Sequence, residues 1–130
     1  MPRAARVLPV LLGAAVILAG CDDDPVVPVE NRTIGLKVDE YRILPKRVSA
    51  PAGTLRLIIR NVGILTHNVT VETIPKVGSD DPVEEIVRTA TVHAGERAEA
   101  SFTVEPGTYR LVCTIANHDD LGQTGDLIVK

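Results

Sequence analysis

The residues best suited to carry chemistry are a thiol, an imidazole and an amide at regular spacing near the C-terminus. Cys113 ends a predicted strand, His118 follows five residues later, and Gln123 follows five residues after that. A second imidazole, His67, lies at the start of another predicted strand. A thiolate and two imidazoles in one plane, with a weaker axial donor, are the ligands that a mononuclear electron-transfer copper site requires. His93 lies in a turn between these segments and is not expected to be a ligand.

The composition excludes several functional classes of protein. The chain has 130 residues, which fits one main domain. Its formal net charge of −3 does not favour binding to nucleic acid, which is itself negatively charged. Two cysteines and three histidines exclude disulfide-rich scaffolds, zinc sites of four cysteines and His-rich multinuclear copper enzymes. We therefore expect no substrate turnover and no small-molecule substrate.

The N-terminal twenty residues differ from the rest of the chain. Arg3 and Arg6 precede 14 uncharged residues, 7–20, a run too short for a membrane span and suited to a secretory signal peptide. Leu18-Ala-Gly-Cys21 then resembles the lipobox of bacterial lipoproteins, which implies cleavage before Cys21 and acylation of its sulfur. The alternative is an uncleaved anchor helix. Either way, we expect the folded part to be exported and held at the extracytoplasmic face of a cell membrane.

Removing residues 1–20 has two consequences for the site. Lipidation of Cys21 leaves Cys113 as a lone thiol, which an oxidising compartment tolerates only if it is buried or bound. The sole methionine, Met1, is lost with the signal peptide.

Residues 21–31 are predicted to be the lipidated cysteine and a flexible tether, because 22–31 hold four acids and two prolines. The alternative for part of this segment is an edge strand through 26–29, which Pro25 and Pro28 disfavour.

The elements that must position these side chains are predicted to be short β-strands. From residue 32 onward, apolar residues alternate in short runs, and turn signals such as Pro106-Gly107 separate them. The pattern predicts an all-β domain over 32–130, a sandwich or barrel of about seven or eight strands. One short helix is expected near residues 82–88, with Asp81 as its cap and Pro82 in its first turn. The predicted strands are 33–38, 55–60, 65–74, 98–104, 108–113 and 125–129.

Residues 32–130 resemble the cupredoxin (blue copper protein) family. The resemblance rests on the turns that frame the candidate ligands: Pro51-Ala-Gly53, Asn61-x-Gly63 before His67, Glu105-Pro-Gly-Thr-Tyr109 before Cys113, and Gly122-x-x-Gly125. It implies a Greek-key β-sandwich that holds one type 1 copper ion, with His67, Cys113 and His118 as equatorial ligands. It also implies that Asn68 ties the two ligand loops together, and Thr114 is its expected partner.

The axial position departs from the usual family pattern. Most members have a methionine after a glycine in this loop, whereas Gln123 follows Gly122 here. Gln123 therefore looks like the fourth ligand through its side-chain oxygen, as in the stellacyanin-like minority. A harder oxygen donor favours Cu(II), so we expect a lower reduction potential than in a methionine-ligated relative.

The resemblance implies a membrane-tethered one-electron carrier between exported redox proteins. Asp119 and Asp120, next to His118, would favour a partner with a basic docking face, unless they are simply a solvated pair of charges. Two other functions remain open. One is copper binding and delivery without redox turnover, although carriers of Cu(I) tend to be rich in Met or His. The other is a metal-free cupredoxin-like lipoprotein that binds a protein partner.

Overall fold

Residues 24–130 contain ten strands in two sheets. The computed structural model describes Met1 and residues 24–130, so Cys21 and almost all of the predicted signal peptide lie outside the described residues. The strands are β1 (Val26–Pro28), β2 (Thr33–Asp39), β3 (Arg42–Leu44), β4 (Arg47–Ala50), β5 (Gly53–Asn61), β6 (Thr70–Thr73), β7 (Glu85–Arg88), β8 (Arg97–Val104), β9 (Gly107–Val112) and β10 (Thr124–Val129).

The two sheets pack face to face as a β-sandwich, which confirms the predicted fold class. One sheet has six strands in the order β1-β4-β10-β9-β6-β7, and the other has four in the order β3-β2-β5-β8. Within the described residues, no helix has the length and apolar character needed to cross a membrane.

Period-two alternation builds the core between the sheets. In β2 the side chains of Ile34, Leu36 and Val38 are buried while the residues between them face outward. The parallel pairing of β2 with β5 sets Ile34 opposite Leu57 and Leu36 opposite Ile59, so both strands bury their aliphatic side chains on the same face. The result is a predominantly aliphatic core, as the composition predicts.

Three neighbouring strands bring the candidate ligands to one end of the larger sheet. Antiparallel β9 lies between β6 and β10, and Val112 at its end pairs with Thr70 on one side and Thr124 on the other. His67 precedes β6, Cys113 follows β9, and Gln123 precedes β10. The strand register therefore places all three side chains at the same end of these strands.

The N-terminal segment is less free than the sequence predicted. Residues 21–31 were expected to form a tether, but Val26–Pro28 form β1, which pairs in parallel with β4. This is an edge strand with exposed side chains, and an edge tolerates the missing N–H groups of Pro25 and Pro28. The alternative of an edge strand is therefore the correct one for these three residues.

The predicted helix near residues 82–88 is wrong. Glu85–Arg88 form strand β7, which pairs antiparallel with β6 at the other edge of the sheet. Ile86 and Val87 are partly buried and pack against the core. β-Branched side chains favour this pleated, half-buried setting, and pairing with β6 overrides the local helix signals at Asp81 and Pro82. The other strands outside the predicted runs are also short: β1 and β3 have three residues each, and β4 has four.

Candidate metal centre

Three buried side chains form a compact set of metal-binding atoms between the loops at this end of the sandwich. One ligand atom each from His67, Cys113 and His118 lies within 4.8 Å of the other two. The Sγ of Cys113 is 3.7 Å from Nδ1 of His118, and the two imidazole ring centres are 5.1 Å apart. His67 and Cys113 are fully buried, and His118 is 9% exposed. A soft thiolate and two imidazoles at this spacing can bind one copper or zinc ion.

Backbone hydrogen bonds fold the loop that carries two of these side chains. The amide of Cys113 donates to the carbonyl of Gln123 at 3.2 Å, which continues the β9–β10 ladder by one pair. Inside the loop, the amide of Gln123 donates to the carbonyl of His118 at 3.0 Å. The loop reverses at Gly122, whose φ of +106° is accessible to glycine without strain. The thiol, the imidazole and the amide side chain are thereby fixed on one short loop.

The end of β10 next to the loop also needs a glycine. A Cβ at Gly125 would lie 2.5 Å from the backbone carbonyl oxygen of Lys46, the residue directly before β4. That carbonyl accepts a hydrogen bond from the amide of Asp126 at 2.8 Å, so it cannot easily move. The Gly122-x-x-Gly125 motif thus combines a turn requirement with a close approach of two strands.

His67 is held by a separate set of contacts. It forms an isolated bridge with Val92, with His67 N–H donating at 3.0 Å and Val92 N–H donating at 2.8 Å. The buried amide of Asn61 donates to the carbonyls of Leu65 and Val92 at 2.6 and 3.2 Å. Its Oδ1 accepts from the amide of Gly63 at 2.9 Å. Asn61 thus closes the loop before His67 from inside, a structural role that its place in a turn motif did not reveal.

Asn68 and Thr114 link the His67 segment to the Cys113 loop. The Nδ2 of Asn68 donates to Oγ1 of Thr114 at 2.9 Å, and the amide of Thr114 donates to Oδ1 of Asn68 at 2.9 Å. Both contacts cross 46 positions of sequence. The structure therefore brings together the pair that the family resemblance implied, each directly next to a candidate ligand.

Gln123 is fully buried beside the same cluster and is oriented by the smaller sheet. Its Nε2 donates to the backbone carbonyls of Asp39 and Arg42 at 2.8 and 3.3 Å. Its Oε1 is buried and has no hydrogen-bond partner, and the same is true of Nδ1 and Nε2 of His67. A buried polar atom without a partner costs about 1–3 kcal/mol. Oε1 of Gln123 and one ring nitrogen of His67 fit a centre in which a metal ion supplies the missing interaction, because a neutral imidazole offers one lone pair and keeps an N–H on its other nitrogen.

The charge state of His67 also suits a ligand. Burial lowers the pKa of His67, and the nearby imidazole of His118 acts in the same direction, whereas the side chains of Gln123, Glu40 and Asp39 oppose the shift. Because the shift is downward, the imidazole is neutral at neutral pH. A neutral imidazole has the free nitrogen lone pair that metal binding needs.

The turn between β2 and β3 contributes two neighbours that the sequence did not predict. The ring of Tyr41 meets the ring of His118 edge to face, with centroids 5.4 Å apart and an interplanar angle of 77°. The carboxylate of Glu40 accepts hydrogen bonds from the backbone amides of Leu65 and Ile64, which lower the pKa of Glu40. No local sequence pattern marks either residue, because each contact joins segments that are far apart in the chain.

The remaining predicted residues lie at the rim or outside the cluster. Asp119 is partly exposed, with an oxygen 3.9 Å from Nη2 of Arg110, and Asp120 is exposed. The exposed His93 accepts or donates a hydrogen bond with Thr66 at 3.2 Å and is not one of the clustered ligands.

Many solved structures are similar to this chain, and three auracyanins are among them. An auracyanin described as Na-dithionite reduced, from the photosynthetic bacterium Roseiflexus castenholzii, is 22% identical over 78% of this chain and 99% of its own, with a TM-score of 0.66. Auracyanin B is 24% identical over 75% of this chain and 88% of its own, also with a TM-score of 0.66. Auracyanin A, described as a "blue" copper protein from the green thermophilic photosynthetic bacterium Chloroflexus aurantiacus, is 21% identical over 79% of this chain and 99% of its own, with a TM-score of 0.65.

No protein-family model and no curated protein matches the sequence. At these identities the structural matches establish the fold, and the chain has the cupredoxin fold that the sequence resemblance implied.

Proposed function

We propose that this chain binds one copper ion in a type 1-like centre and carries single electrons between exported redox proteins. The observation that carries the proposal is the buried cluster of His67, Cys113 and His118, whose ligand atoms lie within 4.8 Å of one another. Within this cluster the ring nitrogens of His67 have no hydrogen-bond partner, and a bound cation would supply one for the nitrogen that carries the lone pair. The blue copper description of a protein with the same fold supports copper over zinc.

Bound copper would supply the one-electron couple, and the chain's own residues would set its surroundings. The thiolate of Cys113 and the two imidazoles would hold the ion, with soft and borderline ligands that suit both oxidation states. The Asn68–Thr114 link and the Asn61 contacts hold the ligand loops in place. A centre that moves little on oxidation has a small reorganisation cost. His118 is the one ligand of the three with some exposure, so an electron would enter or leave through its edge.

Copper binding can be tested by colour. Adding Cu(II) to the purified protein should produce an intense visible band from the thiolate–copper bond, and Cys113→Ser should abolish this band. The matched control is His93→Gln, which removes the histidine outside the cluster and should keep the band. A colourless wild-type protein without tightly bound copper would contradict both electron transfer and copper delivery, and would favour a metal-free partner-binding domain. Reversible voltammetry of the copper form then separates a carrier from a protein that only delivers copper.

We also propose Gln123 as the axial ligand through Oε1. The side chain is buried, its Nε2 is held by two backbone carbonyls, and its Oε1 has no partner in the protein. An amide oxygen is a harder donor than the thioether of methionine, so it stabilises Cu(II) relative to Cu(I).

Replacing Gln123 by Met should therefore raise the reduction potential. We expect a change of about tenfold or more in the equilibrium between Cu(II) and Cu(I), which corresponds to ~59 mV per factor of ten for one electron. Protein-film voltammetry of the two proteins measures this shift directly. The assignment of Gln123 as axial ligand is wrong if the potential of Gln123→Met equals that of the wild type.

We propose that acylated Cys21 anchors the protein at the outer face of a cell membrane. Asp24 already contacts the folded domain: its carboxylate is 3.5 Å from Nζ of Lys46, and its carbonyl accepts a hydrogen bond from Arg47. The three residue steps from Cys21 to Asp24 span about 10 Å at most, far less than a tether of residues 22–31 would allow. The domain would thus be held close to the lipid. Wild-type protein expressed in a bacterium should be found in the membrane fraction as a chain that begins at acylated Cys21, measured by mass spectrometry, whereas Cys21→Ser should lack the acyl mass and keep residues 1–20. A wild-type chain that keeps residues 1–20 and carries no acyl group would favour the anchor helix instead.

We propose that the partner is a redox protein with a basic docking face. Asp119 is near Arg110, so Asp120 is the more available charge beside His118. With a basic c-type cytochrome as probe, the second-order rate constant of electron transfer should fall as salt rises. Asp120→Asn should weaken this salt dependence more than Asp80→Asn, which makes the same change in the segment between β6 and β7. Equal salt dependence in both variants would show that Asp120 is only a solvated charge.

A further inference from the structure

A carboxylate from the smaller sheet reaches the loop that carries the first histidine. Glu40 lies in the turn between β2 and β3, and its Oε1 accepts hydrogen bonds from the backbone amides of Ile64 and Leu65 at 2.7 and 2.9 Å. The same oxygen is 4.0 Å from Nε2 of His67. One oxygen atom therefore binds the loop before His67 and lies beside its imidazole.

Gly63 shows how closely this carboxylate is seated. A Cβ at Gly63 would lie 2.4 Å from Oε1 of Glu40 and 2.8 Å from its carboxyl carbon. The φ of Gly63 is outside the left-handed region, so the backbone conformation itself does not require glycine. A side chain at residue 63 would therefore displace the Glu40 carboxylate from the two amides that donate to it.

Among the charged side chains of its turn, Glu40 is the carboxylate that no arginine or lysine pairs with in residues 24–130. The guanidinium of Arg42 pairs with the carboxylate of Asp39, with Nε 3.0 Å from Oδ1. Within residues 24–130, His67 is the only cationic or imidazole side chain within ion-pair distance of Glu40. A carboxylate behind a ligand histidine orients the ring and favours the more positive state of a bound metal.

We infer that Glu40 is a positioning residue of the metal centre: it fixes the loop that carries His67 through two amides and places a negative charge beside the imidazole. The first part concerns the protein alone. The second part rests on the proposed function, because it predicts that Glu40 stabilises Cu(II) over Cu(I).

Two substitutions separate the two parts. Glu40→Ala removes both the acceptor and the charge, whereas Glu40→Gln keeps an acceptor oxygen and removes only the charge. Glu84→Gln is the matched control, because the Glu84 carboxylate has no hydrogen bond or ion pair within residues 24–130. All four proteins, including the wild type, can be compared with and without copper.

Amide hydrogen exchange in the copper-free protein tests the positioning role. In Glu40→Ala the amides of Ile64 and Leu65 should exchange roughly five- to tenfold faster, as expected for the loss of hydrogen bonds to a charged acceptor. Glu40→Gln should change them less, and Glu84→Gln should leave them unchanged. Unchanged exchange at Ile64 and Leu65 in Glu40→Ala would overturn the positioning role, whether or not the protein binds copper.

The Gly63 contact supplies an independent check. Gly63→Ala should lower the folding equilibrium constant of the wild type, measured by denaturant unfolding, because the new Cβ displaces the Glu40 carboxylate. In the Glu40→Ala background the same substitution should cost at least about tenfold less, because the space is then free. An equal cost in both backgrounds would show that Glu40 does not occupy that space.

Voltammetry of the copper-bound proteins tests whether the negative charge of Glu40 lowers the reduction potential. Glu40→Gln should shift the equilibrium toward Cu(I) by roughly 3- to 10-fold, a moderate effect because the carboxylate is partly exposed. Glu84→Gln should leave the potential unchanged. Equal potentials in the two glutamine variants would overturn the charge effect alone. A wild-type protein that binds no copper would contradict the proposed function, while hydrogen exchange and the Gly63 comparison would still decide the positioning role.

Discussion

The pairing of β9 with β10 is the constraint on which the site depends. Val112 faces Thr124 at the end of this ladder, and the amide of Cys113 bonds the carbonyl of Gln123 one step beyond. Side chains in a strand alternate between faces, so a slip of one residue would turn Cys113 or Gln123 away from the cluster. Leu111 of β9 and Leu127 of β10 are fully buried, so a slip that turned them outward would be costly. The aliphatic core thus fixes the position of a polar site that contributes little to it.

The two sheets meet at the site through polar contacts rather than through apolar packing alone. The turn between β2 and β3 lies at the end of the smaller sheet, and it provides the carbonyls of Asp39 and Arg42 for Gln123 and the carboxylate of Glu40 for the loop before His67. Hydrogen bonds in a buried setting are strong when complete and costly when incomplete. The Nε2 donor of Gln123 is satisfied on this side, whereas Oε1 of Gln123 and the ring nitrogens of His67 have no hydrogen-bond partner, which is why the arrangement favours a bound cation.

The sequence predicted the strands whose residues alternate clearly between apolar and polar. It did not predict the strands that form because a distant strand pairs with them. The alternation in β2 and β5 is local and predicts those strands, whereas the grouping of His67 with Cys113 and His118 was implied by the family resemblance. The segments that became β1 and β7 carry weak or helical local signals, and distant partners, β4 and β6, made them edge strands. Glu40 could not have been found in the same way, because its contacts span 24 and 25 positions and join two sheets.

The side-chain amide of Gln123 provides both a hydrogen-bond donor and an oxygen acceptor at the site. The amide has a donor and an acceptor at opposite sides of one planar group. Its Nε2 donates to the backbone carbonyls of Asp39 and Arg42, and this contact leaves Oε1 on the other side of the amide group. A thioether could fill the space but has no donor, so it would leave those carbonyls without Nε2. The turn between β2 and β3 is therefore matched to an amide, and this match, more than the lack of methionine after residue 1, supports an oxygen donor at the fourth position.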